Sequence, residues 1–138
     1  MLNRIKNFLS WNTIKSNDRN IYAIGSSYLA LMRYNYSNVK NLDELDYKIF
    51  SQGGEDGIID YLLHTLKIKK PKFVEIGIGD YWESNTRFLF ERTSCKGLVI
   101  DIIENLKQKV MKNTKIWKGD LTILNEEVTS NNIGDVLN

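Results

Sequence analysis

The stretch Lys72-Phe73-Val74-Glu75-Ile76-Gly77-Ile78-Gly79-Asp80 constrains the fold of this chain more than any other. It follows Pro71, the only proline, and runs from a mostly apolar segment into two glycines separated by one residue. The apolar segment reads as a buried strand over 72–78. The glycines let the backbone turn sharply and approach a ligand closely. A helix expected from Glu83 or Ser84 to about Thr93 then turns its first N–H groups toward whatever occupies that turn.

Downstream the pattern alternates. An apolar strand is expected over 97–103, a helix over 104–112, a short third strand over 115–118, a loop or helical turn over 123–127 and a frayed helix at 131–138. Strand alternating with helix predicts an α/β fold with a parallel sheet and right-handed crossovers. Runs such as Leu98-Val99-Ile100 fit a sheet covered on both faces. Upstream, Ile5, Phe8, Leu9 and Ile14 suggest an amphipathic helix over 1–19, which either docks on its own domain or lies on a membrane surface. A second helix is expected over 21–34, weakened by Gly25, followed by a polar connector over 35–46. Ser51-Gln52-Gly53-Gly54-Glu55-Asp56-Gly57 turns into a helix carrying Ile58, Ile59, Leu62, Leu63 and Leu66, with Glu55 and Asp56 favouring its N-terminus. This organisation divides the chain into an N-terminal helical region, 1–48, and an α/β region, 49–138.

Composition narrows the function classes. At 138 residues one main domain is the default, and a net charge of +2 gives no electrostatic case for nucleic acid. Residues 1–50 are mildly basic, with Arg4, Lys6, Lys15, Arg19, Arg33, Lys40 and Lys48 against Asp18, Asp43, Glu44 and Asp46. The single cysteine, Cys95, excludes an internal disulfide, and no Cys/His cluster suggests a metal. No apolar run is long enough to cross a bilayer, and the first residues lack the unbroken apolar core of a secretion signal. The chain therefore reads as cytoplasmic.

Four features coincide around the glycine turn. Gly77 and Gly79 form it. Asp101, near the end of the second strand and 24 residues after Gly77, is placed to accept from ribose hydroxyls. Asp120 and Leu121, expected just beyond the third strand, suit an adenine amine and an adenine face. Glu75, an acid inside the first strand, needs partners. It fits as an acceptor for the loop backbone, as a neighbour of a cationic ligand, or as a salt-bridged structural acid. Asp80 fits as part of the site or as a cap of its own turn. The third glycine of a dinucleotide fingerprint is replaced by Trp82, preceded by Tyr81, and Glu75 repels phosphate. Both facts favour a sulfonium-bearing adenosyl cofactor over NAD. His64 reads as a partly exposed structural residue, Arg87 as a helix-surface residue, Asn85 as either a helix-surface or a site residue, and Cys95 as a packed thiol.

The stretches 51–59, 73–80, 83–89 and 97–101 resemble the FkbM-like S-adenosylmethionine-dependent methyltransferases. The resemblance covers roughly residues 49–121. It implies a Rossmann-like fold and S-adenosylmethionine as cofactor. Glu75, Gly77 and Gly79 would border its methionine part and Asp101 its ribose, with Asp80 also among the cofactor-binding residues. Asp120 and Leu121 would reach its adenine, with Asn85, Gln52 and Glu55 nearby. The acceptor would be a hydroxyl of a sugar or small molecule; the alternative is a non-catalytic binding module. The family's sheet has seven strands, of which strands 1 to 3 are recognisable here. The chain is thus expected to be an incomplete form with its first strand exposed as an edge, open to self-association.

Overall fold

The computed structural model describes residues 2–137, with side chains from Ser16 onward. Residues 1–38 and 39–138 form two compact units. The first holds a single helix, α1 (Leu2–Met32), ending in a 3-10 turn at Arg33–Asn38. Two helices were expected here. Gly25 lies within the helix without breaking it, because one interior glycine weakens a helix by only about 1 kcal/mol. The apolar stripe expected from Ile5, Phe8, Leu9 and Ile14 lies outside the described side chains. Among the described residues, no helix is long and apolar enough to cross a membrane.

The second unit is α/β. Its elements are α2 (Glu55–Thr65), β1 (Lys72–Ile76), α3 (Arg87–Thr93), β2 (Lys96–Ile100), α4 (Leu106–Asn113), β3 (Asp120–Leu124) and α5 (Ile133–Val136). Residues 39–48 belong to this unit rather than to the helical region. The Tyr47 N–H donates to the Gly54 carbonyl, and the Gly57 N–H donates to the Tyr47 carbonyl. A Cβ at Gly57 would meet the Leu45 carbonyl oxygen at 2.1 Å, so only glycine lets α2 start against this segment.

The strands form a parallel sheet in the order β1-β2-β3, which leaves β1 at one edge. The third strand is not the expected 115–118. Ile116–Lys118 is a 3-10 turn, and Asp120–Leu124 pairs with β2 in the register Lys96↔Asp120 to Ile100↔Leu124. Gly119 makes the entry possible: a Cβ there would lie 2.6 Å from the Cys95 carbonyl oxygen and 2.7 Å from the Phe90 ring.

Strand alternation puts Phe73 and Glu75 on one face with Gly97, Val99, Leu121 and Ile123. That face meets two apolar groups. Ile78, Tyr81, Leu106 and Val110 pack around Val99, and Leu89, Phe90 and Cys95 pack beside Phe73 and Leu121. On the other face Val74 and Ile76 remain about half exposed. Phe73 lies directly opposite Gly97, and a Cβ at Gly97 would approach its ring to 2.2 Å. Gly97→Ala is therefore expected to force the ring aside and to destabilise the chain by about 1–3 kcal/mol. A lower urea midpoint with an unchanged slope would report it.

Candidate functional site

The end of β1 runs directly into the glycine turn. Gly77 and Gly79 have φ of 78° and 57°, a region that favours glycine, and the Gly77 N–H donates to the Ile100 carbonyl at 2.9 Å. A Cβ built on either glycine meets nothing within 4 Å. The turn therefore opens into free space at the C-terminal ends of β1 and β2, the usual ligand side of an open parallel sheet.

Asp101 follows β2 and reaches this turn. Its Oδ2 accepts the Gly79 N–H at 2.8 Å and its Oδ1 accepts the Ile103 N–H at 3.1 Å. A carboxylate has about four acceptor positions, so each oxygen retains one for a ligand hydroxyl. Ile102, the next residue, is 68% exposed. Asn125, just past β3, donates from Nδ2 to the carbonyls of Asp101 and Ile103 at 2.7 and 3.0 Å, holding this corner in place.

Glu75 is turned to the far end of the same loop. It accepts from the Ser84 hydroxyl at 2.6 Å, from the Asn85 and Thr86 N–H groups at 3.1 Å each, and from the Thr86 hydroxyl. Those backbone donors sit at the start of α3 and were expected to face a ligand; Glu75 takes them instead. Its charge caps α3 from the neighbouring strand, as acids do at helix N-termini. The loop over 77–86 is thus fastened at Gly79 by Asp101 and at 84–86 by Glu75.

The aromatic pair leaves the turn clear. Tyr81 adopts a left-handed φ of 63° yet is fully buried in the group around Val99, with its hydroxyl 2.9 Å from the Thr86 hydroxyl. Burial pushes its phenol pKa upward. Trp82 is half exposed, and its ring centroid lies 5.1 Å from the Arg87 guanidinium carbon. Asp80 caps its own turn, its Oδ1 accepting the Trp82 N–H at 3.0 Å.

The loop before α2 joins this region. The Ser84 N–H donates to the Phe50 carbonyl at 2.9 Å, and exposed Lys48 pairs with Glu83 at 3.0 Å. Gln52 and Asn85 present exposed side chains. Glu55 accepts the Gly53 N–H at 2.9 Å, and backbone donors hold its carboxyl below the usual range.

Asp120 and Leu121 are not brought into the site. They begin β3, so they lie at the opposite end of the sheet from Leu124. Asp120 pairs with Lys96 at 3.1 Å, and Leu121 packs inward against Phe90 and its neighbours. The shift of β3 along the chain is the cause. The positions beside the turn are held instead by Ile102 and Asn125, which periodicity alone did not single out.

Arg87 is also misplaced by sequence reasoning, being fully buried rather than on a surface. Its Nη1 donates to the Trp82 carbonyl at 2.8 Å, its Nε meets Glu91 at 3.4 Å, and its guanidinium lies 3.8 Å over the Phe50 ring. His64 stays on the surface and Cys95 packs in the core, where burial raises its thiol pKa. Among the described residues no His, Cys, Asp and Glu side chains group as a metal site. Comparison of the chain with protein-family models, with curated proteins and with solved structures finds no match in any of the three.

Proposed function

We propose that the mouth formed by Gly77, Gly79, Asp101, Ile102 and Asn125 binds S-adenosylmethionine, as the cofactor-binding part of a methyltransferase acting on a hydroxyl of a sugar or small molecule. One observation carries this reading: an open glycine turn of positive φ, with a carboxylate at its edge that still has acceptor positions to give. In that mouth Asp101 receives two ribose hydroxyls, and Ile102 offers the apolar contact for adenine that Leu121 is too far away to make. Glu75 acts through the loop, fixing 84–86 so that the turn is formed before a ligand arrives. The glycine turn itself contains no lysine or arginine to neutralise a pyrophosphate, which favours a sulfonium cofactor over a dinucleotide.

The cofactor supplies a methyl group on a positively charged sulfur. The chain's own residues orient the adenosyl group and exclude water. A second reading, binding without turnover, is favoured by a specific feature. Glu75 and Asp101, the acids flanking the turn, both accept from the chain's own backbone, so neither stands ready as the base for an acceptor hydroxyl.

Calorimetric titration with S-adenosylmethionine, S-adenosylhomocysteine and NAD tests the reading. The first two are expected to bind and NAD is not. Asp101→Ala removes hydrogen bonds to a charged acceptor and is expected to weaken binding by about tenfold to a hundredfold. Gly77→Val fills the open cradle and also strains a turn of positive φ, so it is expected to abolish binding in a chain that melts cooperatively at a lower temperature than the parent. Binding of NAD alone, or of none of the three, would refute the proposal. Product binding without methyl transfer to any acceptor would select the second reading.

A further inference from the structure

We propose that the lysine-rich face over 106–118 docks on an anionic lipid surface, with Trp117 as its interfacial anchor. Residues 105–119 contain five lysines, Lys107, Lys109, Lys112, Lys115 and Lys118, and no acid. On α4, Leu106 and Val110 are buried one turn apart, which turns Lys107, Gln108, Met111 and Lys112 outward, with Lys109 on the flank. Met111 is half exposed at the centre of this face, flanked by lysines. Lys107, Lys109 and Lys112 are exposed and form no ion pair among the described residues.

The 3-10 turn that follows carries Trp117, which is 78% exposed, while Ile116 beside it packs into the core. The turn is pinned from both sides. Lys115 reaches the Glu91 carboxylate at 3.0 Å, and Lys118 donates to the Glu91 carbonyl at 2.7 Å. A tryptophan held outward on a fixed turn, a few residues past the helix that carries the uncompensated lysines and an exposed methionine, combines the two elements of interfacial binding. The amphipathic ring partitions to the headgroup level, and the cations are drawn to anionic headgroups. The apolar centre distinguishes this face from a row of cations following a phosphate backbone, and the near-balanced charge of the whole chain argues the same way.

Co-sedimentation of the full chain with vesicles provides the test. Binding to mixed phosphatidylcholine–phosphatidylserine vesicles is expected to exceed binding to pure phosphatidylcholine at least tenfold and to fall in high salt. Lys107→Gln/Lys109→Gln/Lys112→Gln removes three surface cations and is expected to weaken binding at least tenfold, from about fivefold per lysine. Binding is expected to shift the tryptophan emission to the blue, and Trp117→Phe is expected to remove most of that shift. Circular dichroism spectra of these surface variants are expected to match that of the parent. Equal binding to neutral vesicles would overturn the proposal, as would affinity that neither variant changes. Binding to single-stranded DNA in place of vesicles would overturn it too.

Discussion

Asp56→Ala is expected to destabilise the chain by about 3–5 kcal/mol, a large part of the stability of a domain this size. Asp56 is buried at the start of α2, and its Oδ2 accepts three consecutive backbone N–H groups, from Ile49, Phe50 and Ser51, at 2.7–2.8 Å. Alanine leaves all three donors buried without a partner. Water entering the vacated space would recover part of the loss. The other oxygen, Oδ1, is buried without a hydrogen bond, and desolvation raises the carboxyl pKa. Asp56→Asn is therefore expected to fall between the parent and Asp56→Ala: it keeps one acceptor for the three donors but sets an NH2 group where nothing receives it. Urea titration followed by circular dichroism measures both. An Asp56→Ala midpoint equal to the parent's would show that the loop is held by other contacts.

Glu91→Ala is expected to cost a further about 3–5 kcal/mol of stability by the same measurement, through a different mechanism. Glu91 is buried on α3, where it faces Arg87 at 3.4 Å, Lys115 at 3.0 Å and the Thr114 hydroxyl at 3.4 Å. Its removal takes the Glu91 carboxylate away from a guanidinium that is wholly shielded from water. Lys115 is about one-third exposed, so Lys115→Met is expected to matter far less. The double variant Arg87→Met/Glu91→Leu replaces the charges with apolar volume and is expected to recover part of the loss seen in Glu91→Ala. A double variant less stable than the single one would show that Arg87 matters more through Trp82 and Phe50 than through Glu91. Because Lys115 holds the Glu91 carboxylate, the same substitution is expected to loosen one side of the turn bearing Trp117, while Lys118 keeps its bond to the backbone carbonyl of residue 91.

The glycine turn was legible because local chemistry determines it. An apolar strand ending in Gly77 and Gly79 needs only its own residues to bend, and both glycines take positive φ. The second strand was legible for a related reason, since Leu98-Val99-Ile100 is apolar throughout. The third strand was not. Both 115–118 and 120–124 carry apolar residues, Ile116 and Trp117 in the first and Leu121, Ile123 and Leu124 in the second, and Gly119, passing Cys95 and Phe90 closely, lets the second enter the sheet. That contact joins segments far apart in sequence. The misassigned strand carried Asp120 and Leu121 to the wrong end of the sheet. Buried charge was hidden for another reason. Asp56, Arg87 and Glu91 resemble helix-surface residues because composition cannot say which charges have partners. A faint signal existed for the first: Asp56 and Asp60 lie on the α2 face that also carries Ile59 and Leu63.

The amino-acid order alone determined the α/β alternation, the place of the open glycine turn and the acid that fastens it, because periodicity and glycine chemistry act over a few neighbouring residues. Tertiary structure decided the register of the last strand, the use of Glu75 as a cap and the burial of the Arg87–Glu91 pair. Each of these depends on donors, acceptors and volumes supplied by distant parts of the chain, which meet only once the sheet and its helices have packed.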